Sequence, residues 1–348
     1  MKHIIIQLIK GLNLIISTFL ILSLISPFVN PDPYWIISFF GLFFPIILAI
    51  YIVFTIYLIK RNKKIITIIS CLLIIISFMY IDRYININKE DKKQDTVRFM
   101  SYNVRMFNKY EWINENNIKE KISSLIENQE IDIVCIQEYY NPELNLRMNL
   151  TYSHIGIQKK RNKWHMAIYS RFPQIKKETV NILGESMNNT CIYSDIKIKE
   201  DTIRVYNIHL ASNFFSKENL DFIQSPKLEQ QEIKNGIIDI SRRLKSSFIK
   251  RGKEVIEIKK HINQSPYPVV ICGDLNDTPM SYAYHNIREN RKDAFVESGN
   301  GLGSSYFKIP FLRIDYIIHD DQMESYNFIT HKNKLSDHKA ISCDIKIK

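Results

Sequence analysis

Six short apolar runs in this 348-residue chain each end, or begin, on side chains able to do chemistry. The densest is the stretch 268–279. There a β-branched run closes on Gly273, and Asp274, Asn276 and Asp277 follow at once. The others carry Asn103 after 97–102, Glu138 after 131–136 and His209 after 202–208. Asp315 lies inside 311–318, and Asp337 with His338 stands just before 340–347. Neighbouring carboxylates repel unless a cation or a proton intervenes. Carboxylates beside an amide therefore suit a hard divalent metal and a phosphate. Gly, Asp and Asn are also ordinary turn formers, so any one stretch alone is ambiguous. Glu138 and Asp315 are harder to explain as structure, because a buried carboxylate needs a partner. For Asp315 the natural partner is His338, which it would hold in one tautomer and keep charged.

The chemistry implied is attack of water on a phosphate ester. Its anionic oxygens resist a nucleophile until positive charge is placed on them. An acid near the water, an amide donor and imidazoles facing the phosphoryl group supply the remaining parts. The same pieces, in the same order, resemble the endonuclease/exonuclease/phosphatase family. They are Ser101-Tyr102-Asn103-Val104, residues 132–138, Asn207-Ile208-His209-Leu210, residues 273–279, residues 313–317 and Ser336-Asp337-His338. The resemblance covers about 97–348 and implies roles position by position. Asn103, Glu138 and Asp337 would surround a metal, Mg²⁺ or Mn²⁺. Asp274 would orient or deprotonate the attacking water. Asn276 would bind a phosphate oxygen, His209 and His338 would face the phosphoryl group, and Asp315 would fix His338. Arg105 stands where some members have an acid, which puts a second metal in doubt. Tyr169 falls near a family site region without a firm alignment.

These residues need rigid elements behind them. The short runs read as buried strands. A helical spacing covers 116–130, and a long helical stretch, 217–262, is broken at Pro226 and carries many Lys and Arg over 233–262. That stretch reads as a solvated helix face rather than a substrate patch. The expected fold is a four-layered α/β sandwich, two mainly antiparallel sheets packed face to face with helices outside. The cysteines Cys135, Cys191, Cys272 and Cys343 lie in strand-like runs, and no Cys/His metal spacing occurs. Buried free thiols are the expectation, with a disulfide among the four left open.

The first 81 residues are almost wholly apolar. Runs 11–29, 35–58 and 65–81 are each long enough, or nearly so, for a hydrocarbon core of about 30 Å. Three transmembrane helices are expected, followed by a charged linker at 82–96 and a catalytic domain at 97–348. Lys2 and Lys10 precede the first run, and Lys60, Arg61, Lys63 and Lys64 separate the last two. The positive-inside bias then puts the N-terminus in the cytoplasm and the catalytic domain outside the inner or plasma membrane.

The net charge of +11 fits an anionic partner. Nucleic acid is the first expectation for substrate and a phospholipid or inositol-phosphate head group the alternative. Phe214 and Phe215, just past His209, would stack on a base or dip toward lipid. A membrane-anchored binding module without turnover is the rival of another class, disfavoured because idle buried carboxylates are costly.

Overall fold

The computed structural model describes residues 2–61, 64–88, 95–140, 146, 148–156, 164–182, 191–213, 215–224, 230–309 and 311–347. Residues 89–94 of the expected linker, Phe214 and Pro226 lie outside them.

The chain begins with helices α1 (Lys2–Ile25), α2 (Pro31–Leu42), α3 (Phe44–Lys60) and α4 (Lys64–Phe78). Three uniform membrane spans are not what forms. Among the described residues, one helix, over Ile9–Phe28, is long and apolar enough by itself to cross a membrane. The second expected span is broken, because α2 and α3 meet at a 55° bend. Pro45, in the first turn of α3, cannot donate into the preceding turn, so the helix restarts there. The third, α4, has only 15 residues.

Hydropathy cannot distinguish a span from an apolar helix docked on protein, and α2 is docked. Phe39 meets Phe248 edge-on at 5.4 Å, Lys245 sits over the Trp35 ring at 4.7 Å, and Lys253 reaches Asp32 at 3.3 Å. A Cβ at Gly41 would lie 2.2 Å from the Met280 carbonyl, so only glycine permits this approach.

Where α1, α3 and α4 meet, polar groups point inward. Asn13 donates to Ser70 (3.3 Å), and Tyr51 joins Ser17 (2.9 Å) to Ser70 (3.1 Å). Ile15, Phe19, Val53, Ile56, Ile65 and Ile68 point outward and are exposed.

Past α4, β1 (Ile85–Ile87) pairs with a later strand rather than hanging free. β2 (Val97–Asn103), α5 (Ile118–Asn128), β3 (Ile133–Tyr140), β4 (Tyr152–Gly156), β5 (Trp164–Ser170), β6 (Gln174–Thr179), β7 (Cys191–Ile198) and β8 (Asp201–His209) follow. Then come α6 (Lys217–Gln224), α7 (Gln230–Ile262), β9 (Val269–Asp274), α8 (Tyr282–Arg288), β10 (Lys292–Asp293) and α9 (Ala294–Ser298). The chain ends with β11 (Asn300–Leu302), β12 (Asp315–His319), β13 (Glu324–Thr330) and β14 (Ile341–Lys346).

The strands build two six-stranded sheets, ordered β13-β14-β2-β3-β5-β4 and β10-β12-β9-β8-β7-β6, plus the pair β1-β11. Each large sheet is mixed: β2–β3 and β8–β9 run parallel and their neighbours antiparallel. Apolar residues alternate between the two faces of each central strand. Phe99, Ile133 and Cys135 face Ile192, Val205, Val270 and Cys272 across the inter-sheet core. On the outer face of the first sheet, Met100, Val134 and Ile136 pack under α5. On the outer face of the second, Tyr206 and Ile271 pack under α7 and α8. The expected sandwich therefore forms, helix on sheet on sheet on helix. All five cysteines are free thiols.

The stretch expected as a linker is partly built in. β1 pairs antiparallel with β11, Gly303 N donates to Tyr84 O (2.9 Å), and Arg313 Nη1 donates to Arg83 O (2.9 Å).

Candidate active site

Register places the site. In the second sheet His209 pairs with Asp274, and Asp274 pairs with Asp315, so three strands bring their functional residues to one level. In the first sheet Asn103 stands opposite Gln137, one residue before Glu138. The two sheets are pinned together just behind this rim. Gln137 Nε2 donates to Asn207 Oδ1 (2.7 Å), and Asn207 Nδ2 donates to the carbonyls of Ile136 and Ala167 (2.9 Å each). A buried amide pair bonded across both sheets in this way fixes their relative placement.

Two local departures aim the side chains. Glu138 sits at φ 51°, where the β3–β5 register shifts between Ile136 and Tyr139. A bulge of this type turns a side chain out of the pleat. Asn276 is also left-handed, at φ 51°. Non-glycine residues held there signal strain that the surrounding structure supports. Gly273 is required by crowding, since a Cβ would come within 2.0 Å of the Ile208 carbonyl.

Asn103 Nδ2 donates to Glu138 Oε1 (3.2 Å) and to Asp274 Oδ2 (3.0 Å). Asp274 Oδ1 accepts from the Asn276 backbone N–H (2.8 Å). His209 Nε2 lies 3.6 Å from Asp274 and 3.8 Å from Glu138, buried and without a hydrogen-bond partner. His338 Nε2 is 3.7 Å from Asp274, while its Nδ1 meets Asp315 at 3.0 and 3.2 Å. Residues 103, 138, 209, 274, 315 and 338 thus converge on one point. Asn276 lines the same cleft, with its amide donating to Leu210 O (3.1 Å). Asp337 lines it too but is turned to Arg105, whose Nη1 is 2.7 Å away.

Electrostatics separates the two imidazoles. Burial dominates at His209 and lowers it to about 4, leaving a neutral ring at physiological pH. Burial opposes the charge on His338 too, but Asp315 and Asp274 overcome it and raise that ring to about 10. Burial likewise pushes the Asp274 carboxyl up, with His338 acting against it. Burial and the nearby Asp337 lift Glu138 to about 7.

Ligand atoms of Asp274, Asp315 and His338 lie within 4.8 Å of one another, a spacing that would suit a metal. There, however, His338 already supplies a positive charge between two acids. At Glu138 the same His338 charge and the Asn103 amide do not offset burial and the nearby Asp337. The Glu138 carboxyl is held partly protonated near neutrality, and 19% of its side chain stays open to the cleft. The wall formed by Glu138 and Asn103 is therefore the one short of positive charge, and a divalent cation fits it.

Sequence reasoning saw Arg105 only as a departure from an acidic pattern. In the structure it pairs with Asp337 and stacks on Trp112 at 4.0 Å. It is carried by a turn in which residues 105–108 all have positive φ. Tyr306, packed edge-on against His338 at 5.1 Å, was not anticipated, and no spacing in the sequence marks it. Ser305 was missed as well. Its Oγ accepts from the N–H groups of Ile314 (3.0 Å) and Asp315 (3.1 Å), holding the strand start that carries Asp315. Tyr169 does not join the site. Its hydroxyl pairs with Tyr139 (2.8 Å) in the core under α5.

Two packed mixed sheets with acids, amides and two unlike imidazoles at one rim define the phosphoesterase class of α/β sandwich. Residues 100–338 match the model of the Endonuclease/Exonuclease/phosphatase family, and the chain belongs to that family. Residues 6–84 match a domain of unknown function, DUF8431. No curated protein matches the sequence.

Solved structures share the fold. Zebrafish (D. rerio) TDP2 complexed with a single-strand DNA product is 15% identical, with a TM-score of 0.53, covering 73% of this chain and 100% of that one. The human Nocturnin catalytic domain with a bound sulfate is 14% identical, with a TM-score of 0.51, covering 74% and 96%. A Bacteroides thetaiotaomicron mannosyl-6-phosphatase is 13% identical, with a TM-score of 0.51, covering 72% and 99%. At such identities the likeness is one of fold.

Proposed function

We propose that the chain is a membrane-anchored, divalent-metal-dependent phosphoesterase, with catalytic residues 97–348 carried by the anchor 1–81. The observation that carries this reading is the meeting of Asn103, Glu138, His209, Asp274 and His338, drawn from both sheets, around one small polar space.

A divalent cation, Mg²⁺ or Mn²⁺, held by Glu138 and Asn103 with Asp337 completing its surroundings, would spread the charge of the phosphoryl oxygens. Asp274, made more basic by burial, takes a proton from the attacking water. The water oxygen forms the new P–O bond as the ester P–O bond breaks. The leaving oxygen gains a proton in turn, so the water's hydrogens end on the two products. His338, charged at neutral pH, stabilises the anionic phosphoryl group, and Asp315 fixes its ring. His209 offers an unpartnered Nε2 as a neutral polar contact, and Asn276 steadies a phosphate oxygen.

Membrane anchoring is supported by the inverted pattern of α1, α3 and α4. Hydroxyls and an amide face inward while Val53, Ile65 and Ile68 are exposed, as bundles in lipid are built. In water such an apolar surface would aggregate. The basic residues Lys60, Arg61 and Lys64, where α3 meets α4, favour a cytoplasmic turn there and an extracytoplasmic catalytic domain.

Purified full-length enzyme with Mg²⁺ or Mn²⁺ should hydrolyse bis-p-nitrophenyl phosphate. Asp274→Ala and His338→Ala should each abolish turnover, and full activity in either would overturn these roles.

A further inference from the structure

The catalytic residues open into one end of a cleft of about 840 Å³ whose far walls come from elsewhere in the chain. One wall is α3 of the anchor, presenting Ile46, Ala49 and Ile50 on a single helical face. The opposite wall is Leu220 and Ile223 of α6 with Ile240, Leu244 and Phe248 of α7, again at helical spacing. Phe311 and Leu312 lie beside Tyr306, near the phosphoryl end. The lining of this one cavity thus combines carboxylates and the His338 imidazole with hydrocarbon.

Cationic side chains for a polyanion are scarce. Apart from His338, the described lining residues include two cations, Arg105 and Arg251, each already paired: Arg105 with Asp337 at 2.7 Å and Arg251 with Asp277 at 2.9 Å. A groove that tracks a nucleic-acid backbone needs free Lys or Arg and stacking aromatics along its length. This one has walls of mixed aliphatic and aromatic side chains and no unpaired Lys or Arg among the described lining residues. Ile46 and Ile50 line the cleft and are still more than half exposed, at 57% and 52%. The cleft is therefore open sideways along α3, on the side where the anchor would meet acyl chains.

We infer that the substrate is an amphiphilic phosphate ester whose hydrocarbon chain lies between α3 and the α6–α7 wall while its phosphate occupies the rim site. This rests on the phosphoesterase reading above and goes further by naming the class of molecule. The anchor then forms half of the binding cleft, and a chain can slide from the bilayer along α3 without crossing water. Association of the apolar part is non-directional and scales with chain length.

The test uses full-length enzyme in detergent micelles, with Mn²⁺ and two esters of one head group: p-nitrophenyl methyl phosphate and p-nitrophenyl hexadecyl phosphate. The hexadecyl ester should show a kcat/KM at least about a hundredfold higher, the gain expected from about four buried methylenes. Partition into micelles alone could favour a long chain, so the wall is tested directly. Ala49→Trp fills the cleft from an exposed helix position. Ile240→Gln, at a half-buried one, makes it polar. Both should lower the hexadecyl-to-methyl ratio at least tenfold. Equal rates for the two esters, or a ratio unchanged in both variants, would overturn the chain site while leaving the phosphoesterase intact. Cleavage of single-stranded DNA faster than the hexadecyl ester, falling steeply with salt, would overturn it in favour of nucleic acid. If neither ester nor DNA is cleaved, the phosphoesterase reading falls and this inference with it.

Discussion

Replacing Asp315 with asparagine tests the charge arrangement with almost no change of shape. Both Asp315 oxygens lie 3.0–3.2 Å from His338 Nδ1, and the pair is buried. In the wild type, burial alone would discharge His338, yet the carboxylates of Asp315 and Asp274 raise it to about 10. An amide at position 315 keeps the volume and removes the charge. Breaking one partner of a buried hydrogen-bonded charge pair costs roughly 2–5 kcal/mol. At about 1.4 kcal/mol per factor of ten, kcat should fall between about 30- and 5,000-fold. KM for a small diester should change little, because the loss falls on charge developing in the transition state. The assay is steady-state hydrolysis of bis-p-nitrophenyl phosphate at saturating Mn²⁺ from pH 6 to 9, with thermal unfolding recorded alongside. A folded Asp315→Asn enzyme whose kcat stays within threefold of wild type would refute the reasoning.

Other outcomes follow from the same structure. His331 and His154 are each lowered by burial to about 4, so between pH 6.5 and 4 these two sites bind fewer protons in the folded chain than in the unfolded one and outweigh the opposite effect of the raised Glu138. Stability should therefore decline as pH falls through that window, read as a decreasing Tm, and a flat Tm would contradict this. Gly273→Ala forces a Cβ to 2.0 Å from the Ile208 carbonyl. It should destabilise by about 3 kcal/mol or more, dropping Tm by roughly 10 °C. Asn207→Leu strands the Ile136 and Ala167 carbonyls and the Gln137 amide, and should cost about 3 kcal/mol in chemical denaturation. A phosphatase reporter fused after Lys348 should be active outside the cytoplasm, whereas a cytoplasmic readout would invert the topology.

The rim was legible because strand ends carry functional side chains and register then aligns them. The order Asn103, Glu138, His209, Asp274, Asp315, His338 in sequence becomes adjacency through β2–β3, β8–β9 and β9–β12 pairing. Alternation and β-branched runs marked those central strands. They did not mark β6, whose residues are polar and mostly exposed at a sheet edge, as edge strands are. Nor did they mark β1, three residues whose place is set by distant partners in β11 and by Arg313.

The first 81 residues were misjudged for a different reason. Apolar length is the same whether a helix faces lipid or protein, and only tertiary packing shows α2 resting on α7. Arg105 was undervalued because its partner, Asp337, lies more than two hundred residues away.

Metal dependence of hydrolysis by the purified full-length protein tests the central claim most directly. The account predicts p-nitrophenol release from bis-p-nitrophenyl phosphate with Mg²⁺ or Mn²⁺, its arrest by EDTA and its return when metal is restored. Glu138→Gln should require far more metal for the same rate. Turnover that persists undiminished in EDTA, or none with any divalent ion, would contradict it.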